Sequence, residues 1–237
     1  MNVVGVHLDR RATQENADRI VREIEALGHE AWFFNVNAAD PERRSDVLSE
    51  VAKRFDKRGK AERFRVLMHS LAFGSLRPLI ADDPEEQANQ KQLDMTIDVM
   101  ANSLVYWTQD CYSAGLLGKQ SRIFAMTSAG GSASWKGYGA VSAAKCALEA
   151  HIRQLACELG PFGITANAIC AGVTDTPALR KIPQSARMIE TALRKNPMGR
   201  LTTPDDVASS LVALAHPSTH WLTGNTIYVD GGEGHVG

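Results

Sequence analysis

The chain has almost no charge imbalance: 26 Lys and Arg stand against 27 Asp and Glu, a formal net charge of −1. A near-neutral protein generates no global field that draws it to nucleic acid or to an anionic membrane, so neither is expected as a partner. Paired cysteines are also missing. The four present, Cys111, Cys146, Cys157 and Cys170, form no CxxC motif, and neither a zinc site nor a dithiol redox site is expected. They read as buried or semi-buried thiols of a reducing cytosol. No apolar run is long enough for a signal peptide or a membrane span, and the reading is a soluble, cytoplasmic protein. Repeats, low-complexity tracts and linkers are absent as well. Hydrophobic residues make up 44% and charged residues 22% of the 237, which excludes a disordered chain and gives enough material for one large α/β domain over residues 1–237.

The residues that are there alternate in period. Val3–Leu8 reads as a buried strand, and Thr13 opens a helix with Ala17, Ile20, Val21, Ile24 and Leu27 at helical spacing, stopped by Gly28. Ala31–Val36 is a second strand. Asp40-Pro41 is an N-cap followed by proline at the first helical position, with Val47, Leu48, Val51 and Phe55 on one face. Strands follow at Phe64–Met68, Arg122–Thr127, Ile164–Ile169 and Thr226–Val229. Helices are expected over residues 85–117 and 139–159, and after Pro204-Asp205-Asp206. The strand runs of Val, Ile, Leu and Phe lack polar alternation, as both-face coverage requires. The pattern predicts an α/β fold with a doubly wound, Rossmann-like parallel sheet. The basic run from Lys53 to Arg65 reads as a solvated helix end and loop.

Between Met126 and Lys145 three polar groups stand out. Ser128 lies just past the C-terminal end of a predicted strand, where α/β sheets bind ligands. Tyr138 and Lys145 are seven residues apart, close to two helical turns, so both can face one side. A tyrosine hydroxyl with a free pKa of about 10 is a poor acid at neutral pH. A neighbouring ammonium favours the phenolate and makes proton exchange with a substrate oxygen feasible. Ser128 can hold that oxygen by a hydrogen bond.

Further downstream come Asn167-Ala-Ile-Cys-Ala-Gly-Val-Thr-Asp-Thr176 and Thr223-Gly-Asn-Thr-Ile-Tyr-Val-Asp-Gly-Gly232. With the Ser128–Lys145 segment, these resemble the short-chain dehydrogenase/reductase family along essentially the whole chain. Commoner members carry the tyrosine four residues before the lysine. Here that position is Val141, and Tyr-x6-Lys is the spacing of the divergent branch that includes enoyl-acyl-carrier-protein reductases. Met68-His-Ser-Leu-Ala-Phe-Gly74 looks like that branch's version of the segment after the fourth family strand. Ser128 stands where many enoyl reductases carry a second tyrosine, and the family's helix asparagine aligns with Met100, Asn102 being about 200° around the helix from it.

The resemblance implies an NAD(P)H-dependent oxidoreductase that passes hydride to the β-carbon of a 2-enoyl thioester in fatty-acid synthesis, the acyl group being linked to acyl carrier protein or CoA. Tyr138 is implied as the proton donor at the thioester enolate oxygen, with Ser128 beside it. Lys145 is implied at the nicotinamide ribose and as electrostatic support for the enolate. Asn37 and Ala38 match the adenine contact, Ser70, Leu71 and Ala72 the cofactor's backbone, Thr174 its carboxamide and Thr176 its pyrophosphate. Arg10 or Arg11 would favour the 2′-phosphate of NADPH, while Asp9 leaves NADH open. Residues 177–200 resemble the substrate-covering segment; Arg180, Lys181, Arg187, Arg194, Lys195 and Arg200 against the single acid Glu190 form a basic rim suited to an acidic carrier protein. Family resemblance also suggests a homotetramer or homodimer. Two alternatives stay open: reduction of a 3-oxoacyl thioester or small ketone, and an inactive chain serving as an oligomer partner.

The family's opening strand and Thr-Gly-x3-Gly-x-Gly turn, whose amides hold a pyrophosphate, have no counterpart here. Met1 falls where the family enters its second strand, so the chain reads as N-terminally truncated by a βα unit of roughly 30 residues. In the family order 3-2-1-4-5-6 this removes the central strand, and the two exposed strand edges must re-pair or stay open. Two explanations are weighed: an internal methionine with the functional product starting upstream, and a chain that lacks the unit.

Overall fold

The computed structural model describes residues 1–58, 62–131, 134–182 and 184–236. They form two compact units, residues 1–62 and 63–237. The first runs β1 (Val3–His7), α1 (Gln14–Ala26), β2 (Ala31–Asn35), α2 (Pro41–Asp56). β1 and β2 pair in parallel, from Val3 opposite Ala31 to His7 opposite Asn35. Gly5 lies opposite Phe33, and a Cβ on Gly5 would sit 2.8 Å from that ring, so the Phe33 side chain fills the space a β1 side chain would take. Gly28 ends α1 with φ of +78°, a left-handed conformation that glycine adopts without strain. Asp40 caps α2 by accepting from the Glu42 and Arg43 amides, as its sequence predicts.

The second unit carries β3 (Val66–His69), α3 (Gln90–Ile97), α4 (Ser103–Ser113), β4 (Arg122–Ser128), α5 (Gly139–Leu159), β5 (Thr165–Ala171), α6 (Ser185–Lys195), α7 (Pro204–Leu214) and β6 (Thr226–Val229). Its sheet has the order β3-β4-β5-β6, parallel throughout. Phe124 of β4 and Ile169 of β5 pack with Val207 of α7, extended by Leu211 and Leu214. Thr127, on the opposite face of β4, bonds to Glu149 of α5. Helices therefore cover both faces, the doubly wound arrangement. Among the described residues, no helix is long and apolar enough to cross a membrane.

Several expectations need correction. Residues 85–117 are mostly helical, as expected, but not as one α-helix: Asp98–Asn102 is a π-turn between α3 and α4, and α4 ends at Ser113. A π-turn needs one extra residue per turn, which leaves no mark on apolar periodicity. α7 is capped by Thr203, in a capping box with Asp206, one residue before the expected Pro-Asp-Asp signal. Of the two outcomes expected for the strand edges, re-pairing or staying open, the second is seen: β1 edges a two-stranded sheet and β3 edges the four-stranded one. Coverage of both strand faces is complete only in β4 and β5; β1, β2 and β3 are largely half-buried. Cys111 and Cys170 are buried, but Cys146 and Cys157 are exposed, because they fall on the outer side of α5.

Candidate active site

The candidate site gathers at the carboxyl end of β4 and the start of α5. Gly137, with φ of +79°, turns the chain into the helix, and any Cβ there would strike the Leu76 carbonyl at 2.6 Å. The next residue, Tyr138, is the N-cap of α5 and half-buried. Its ring stands edge-on to Trp135, centroids 5.7 Å apart. On the other side the ring covers Gly130: a Cβ built there would lie 2.3 Å from Tyr138 Cε1 and 3.1 Å from Ser128 Oγ. Gly130 also donates its amide to Ser128 Oγ at 3.3 Å. Ser128 and Tyr138 therefore converge on one glycine whose lack of a side chain lets them approach.

Lys145 lies two turns into α5, only 6% exposed. β3 ends at His69, opposite Ala125, so the Met126 carbonyl lies past the end of that ladder. The Lys145 ammonium donates to this carbonyl at 2.7 Å. Burial pulls its pKa down to about 8, against the opposing pull of Glu149 and Cys170. Gly131 is bordered by Lys145 Cβ and Glu149 Oε1, at 3.8 and 3.6 Å from where its own Cβ would be. The Gly130-Gly131 pair is thus the common floor of Ser128, Tyr138 and Lys145. A cleft of about 550 Å³ opens beside Tyr138, with Leu79, Ile80, Trp135 and Ser142 in its wall.

A half-buried phenol, a hydroxyl sharing its glycine and a buried amine lie around the same glycine turn, groups of the kind that can exchange a proton with a bound oxygen. The family profile described as Enoyl-(Acyl carrier protein) reductase matches residues 1–233. The chain belongs to this family, a branch of the short-chain dehydrogenases/reductases. It is 35% identical over 114 residues to short-chain reductase protein NovJ of Streptomyces niveus, a match spanning 46% of this chain and 42% of NovJ. Against 3-oxoacyl-[acyl-carrier-protein] reductase FabG of Thermotoga maritima it is 26% identical over 220 residues, 93% of this chain and 84% of FabG. The crystal structure of the Bacillus cereus enoyl-acyl carrier protein reductase with NADP+ and indole naphthyridinone superposes with a TM-score of 0.85 at 22% identity, covering 100% of this chain and 87% of that one.

The remaining family positions fall as follows. Ser70, Leu71 and Ala72 follow directly on β3, at the carboxyl end of the sheet, with Ser70 and Ala72 exposed. Thr174 follows β5 and donates its hydroxyl to the Gly172 carbonyl. Thr176 accepts from the Leu179 amide and so also serves the local turn. Asn37 closes a turn by accepting from the Ala39 amide, with Ala38 between them. Asn102 Oδ1 accepts from His151 Nε2 at 3.0 Å, and Met100 is buried against Val141 and Ala144, so no asparagine side chain stands at the position of the family's helix asparagine. In residues 1–62, Arg10 and Arg11 are exposed at the end of β1, whereas Asp9 is committed to His7 Nδ1 at 2.7 Å.

Sequence reasoning missed two groups. Gly130 carries no motif of its own; only its place between Ser128 and Tyr138 could have signalled the close approach. His69 is 6% exposed, and its Nε2 lies 2.8 Å from Ser103 Oγ. Since Ser103 donates to the Val99 carbonyl at 2.7 Å, its oxygen accepts and His69 carries the Nε2 proton. Burial and the Lys145 charge push the His69 pKa down to about 4, so it is neutral at pH 7. The basic rim of residues 177–200 is also smaller than its count: Asp175 takes Arg180 with both oxygens at 2.8 Å, and Asp206 takes Arg200.

Proposed function

We propose that the chain is an NADPH-dependent reductase of 2-enoyl thioesters. The observation that carries this reading is the Tyr-x6-Lys pair, with Tyr138 at the N-cap of α5 over Gly130 and Lys145 buried two turns on. The dihydronicotinamide, when bound, supplies the hydride. The residues of the second unit fit it: Lys145 brings a buried donor, Ser70 an exposed hydroxyl at the carboxyl end of β3, and Thr174 its main chain just past β5. Taken by itself, the first unit carries Arg10 and Arg11 as exposed cations of the kind a 2′-phosphate takes. Asp9, the group that would favour NADH, is engaged by His7 in this reading.

Tyr138 places its hydroxyl where the thioester oxygen gains charge and delivers a proton to it. Lys145, charged below about pH 8, stabilises both the developing enolate and the phenolate left behind. Leu79, Ile80 and Trp135 give the neighbouring cleft an apolar wall for an acyl chain. Arg187 and Arg194 on α6 are exposed and make no ion pair among the described residues, leaving them to steer an acidic carrier protein.

A second reading, reduction of a 3-oxoacyl thioester, is favoured by one observation: Ser128 and Tyr138 share Gly130, as a carbonyl-holding pair requires. Crotonyl and acetoacetyl thioesters offered side by side with NADPH separate the two. Turnover of crotonyl thioester is the expected result, and turnover of the ketone alone overturns the enoyl assignment.

A further inference from the structure

Glu149 takes no part in the chemistry described so far, yet it sits beside it. It lies one turn after Lys145 on α5, at the i+4 spacing that puts two side chains on one face. The Thr127 hydroxyl donates to Glu149 Oε1 at 2.7 Å, while the Lys145 ammonium donates to the carbonyl of Met126, the residue just before Thr127. Two consecutive residues of β4 thus clasp two consecutive-turn residues of α5. The same Gly131 borders both side chains, at 3.6 Å from Glu149 Oε1 and 3.8 Å from Lys145 Cβ.

We infer that Glu149 is a positioning residue for Lys145: pinned by Thr127, its carboxylate keeps the buried ammonium charged and seated at the end of β4. The inference rests on Lys145 having the role proposed above only for its catalytic consequence; the electrostatic relation itself stands alone. An ammonium in a low-dielectric site loses its proton unless an anion faces it. The groups facing Lys145 come from three elements. His69 of β3 is neutral at pH 7 and opposes the lysine charge when protonated. Cys170 of β5 has its thiol pushed up to about 12, largely by burial, so it carries no charge in the working range. Glu149 of α5 is what remains to favour the charged amine. No ion pair within 4 Å joins the two, so the support acts through space and leaves the Lys145 hydrogens for other partners.

The test follows Lys145 itself. The full chain is labelled with 13Cε-lysine, and the Lys145 resonance is assigned by its loss in Lys145→Arg. In Glu149→Gln, which keeps the shape and removes the charge, the titration midpoint is expected to fall by about one pH unit, a tenfold loss of proton affinity. Thr127→Val, which keeps the carboxylate but unpins it, is expected to give a smaller fall in the same direction. A folded Glu149→Gln protein whose Lys145 midpoint stays within about 0.2 unit of wild type overturns the inference. If Glu149→Gln does not fold, Thr127→Val decides by the same criterion. The alkaline limb of kcat/KM is measured in parallel. If the Lys145 midpoint moves and the limb does not, the catalytic reading of Lys145 fails while the Glu149 relation holds.

Discussion

Residues 1–62 and 63–237 use the same grammar, parallel strands joined by helices, and reach different degrees of closure. In the first, neither strand has a fully buried residue, and the buried apolar side chains Ala17, Val47, Leu48 and Val51 belong to its two helices. In the second, β4 and β5 are flanked by strands on both sides and helices on both faces, and Ile123, Phe124, Ala125, Ala168 and Ile169 are almost wholly removed from water. The strand sequences do not reveal this difference. Val3-Val4-Gly5-Val6 is as apolar as Ile123-Phe124-Ala125-Met126, but burial depends on how many neighbours a strand pairs with, and a two-stranded sheet is all edge. The candidate proton-handling residues all lie in the unit with the closed sheet, as a site that must hold its groups still requires.

The largest effects should come from breaking that closure. Phe124→Ala removes a 1%-exposed ring packed on Ile169 and Val207, and should cost about 3–5 kcal/mol in chemical unfolding. Phe33→Ala, at a half-buried position of β2, should cost less than half of that. Equal losses would refute the contrast between the units. Gly130→Ala makes the corresponding test of the site. Its methyl group would overlap the Tyr138 ring, so the ring must move from Ser128, and turnover should fall about 100-fold or more while thermal unfolding shifts little by comparison. Preserved turnover would show that the shared glycine does not set the Tyr138 position.

A middle-sized effect is expected from pH. His69 is buried neutral, with a pKa of about 4 against about 6.5 when unfolded. The unfolded chain therefore binds the proton first, and stability is full above pH 6.5, declines from there to pH 4, and is level below. The loss should approach about 3 kcal/mol across that window. His69→Gln keeps a donor for Ser103 and removes the titration, so its stability curve should be flatter by that amount. A parallel curve would place the acid sensitivity elsewhere.

Much of the fold was legible. The predicted helix over residues 139–159 and the strand over residues 226–229 match α5 and β6 to the residue, because apolar spacing and flanking glycines mark their ends. The Ser128, Tyr138 and Lys145 set was legible as a spacing. Its assembly was not: Tyr138 stands before the helix, so helical periodicity does not place it, and the contact that joins it to Ser128 runs through a residue with no side chain. The π-turn at Asp98–Asn102 was invisible for a related reason, since it changes hydrogen bonding without changing which residues are apolar. Pairings made by residues beyond a motif's limits, such as Asp206 with Arg200, cannot be read from the charge count inside it.

The smallest effect concerns residues 1–62, whose proposed task is to choose the cofactor. Arg10 and Arg11 are exposed, and an exposed cation facing a phosphate is worth about 1 kcal/mol. Replacing both with alanine should therefore raise KM for NADPH about 5- to 20-fold and leave KM for NADH within about twofold. Asp9 supplies the counter-test. The Thr13 hydroxyl and His7 lower its carboxylate pKa, so it is anionic at neutral pH. In Asp9→Asn that charge is gone while an acceptor for His7 remains, and NADPH should bind up to a few-fold more tightly because a repulsion next to the two arginines is removed. An NADPH preference that survives the double alanine variant would show that this unit's exposed end does not read the 2′-phosphate. The difference between the two units would then be one of packing alone, without a division of labour.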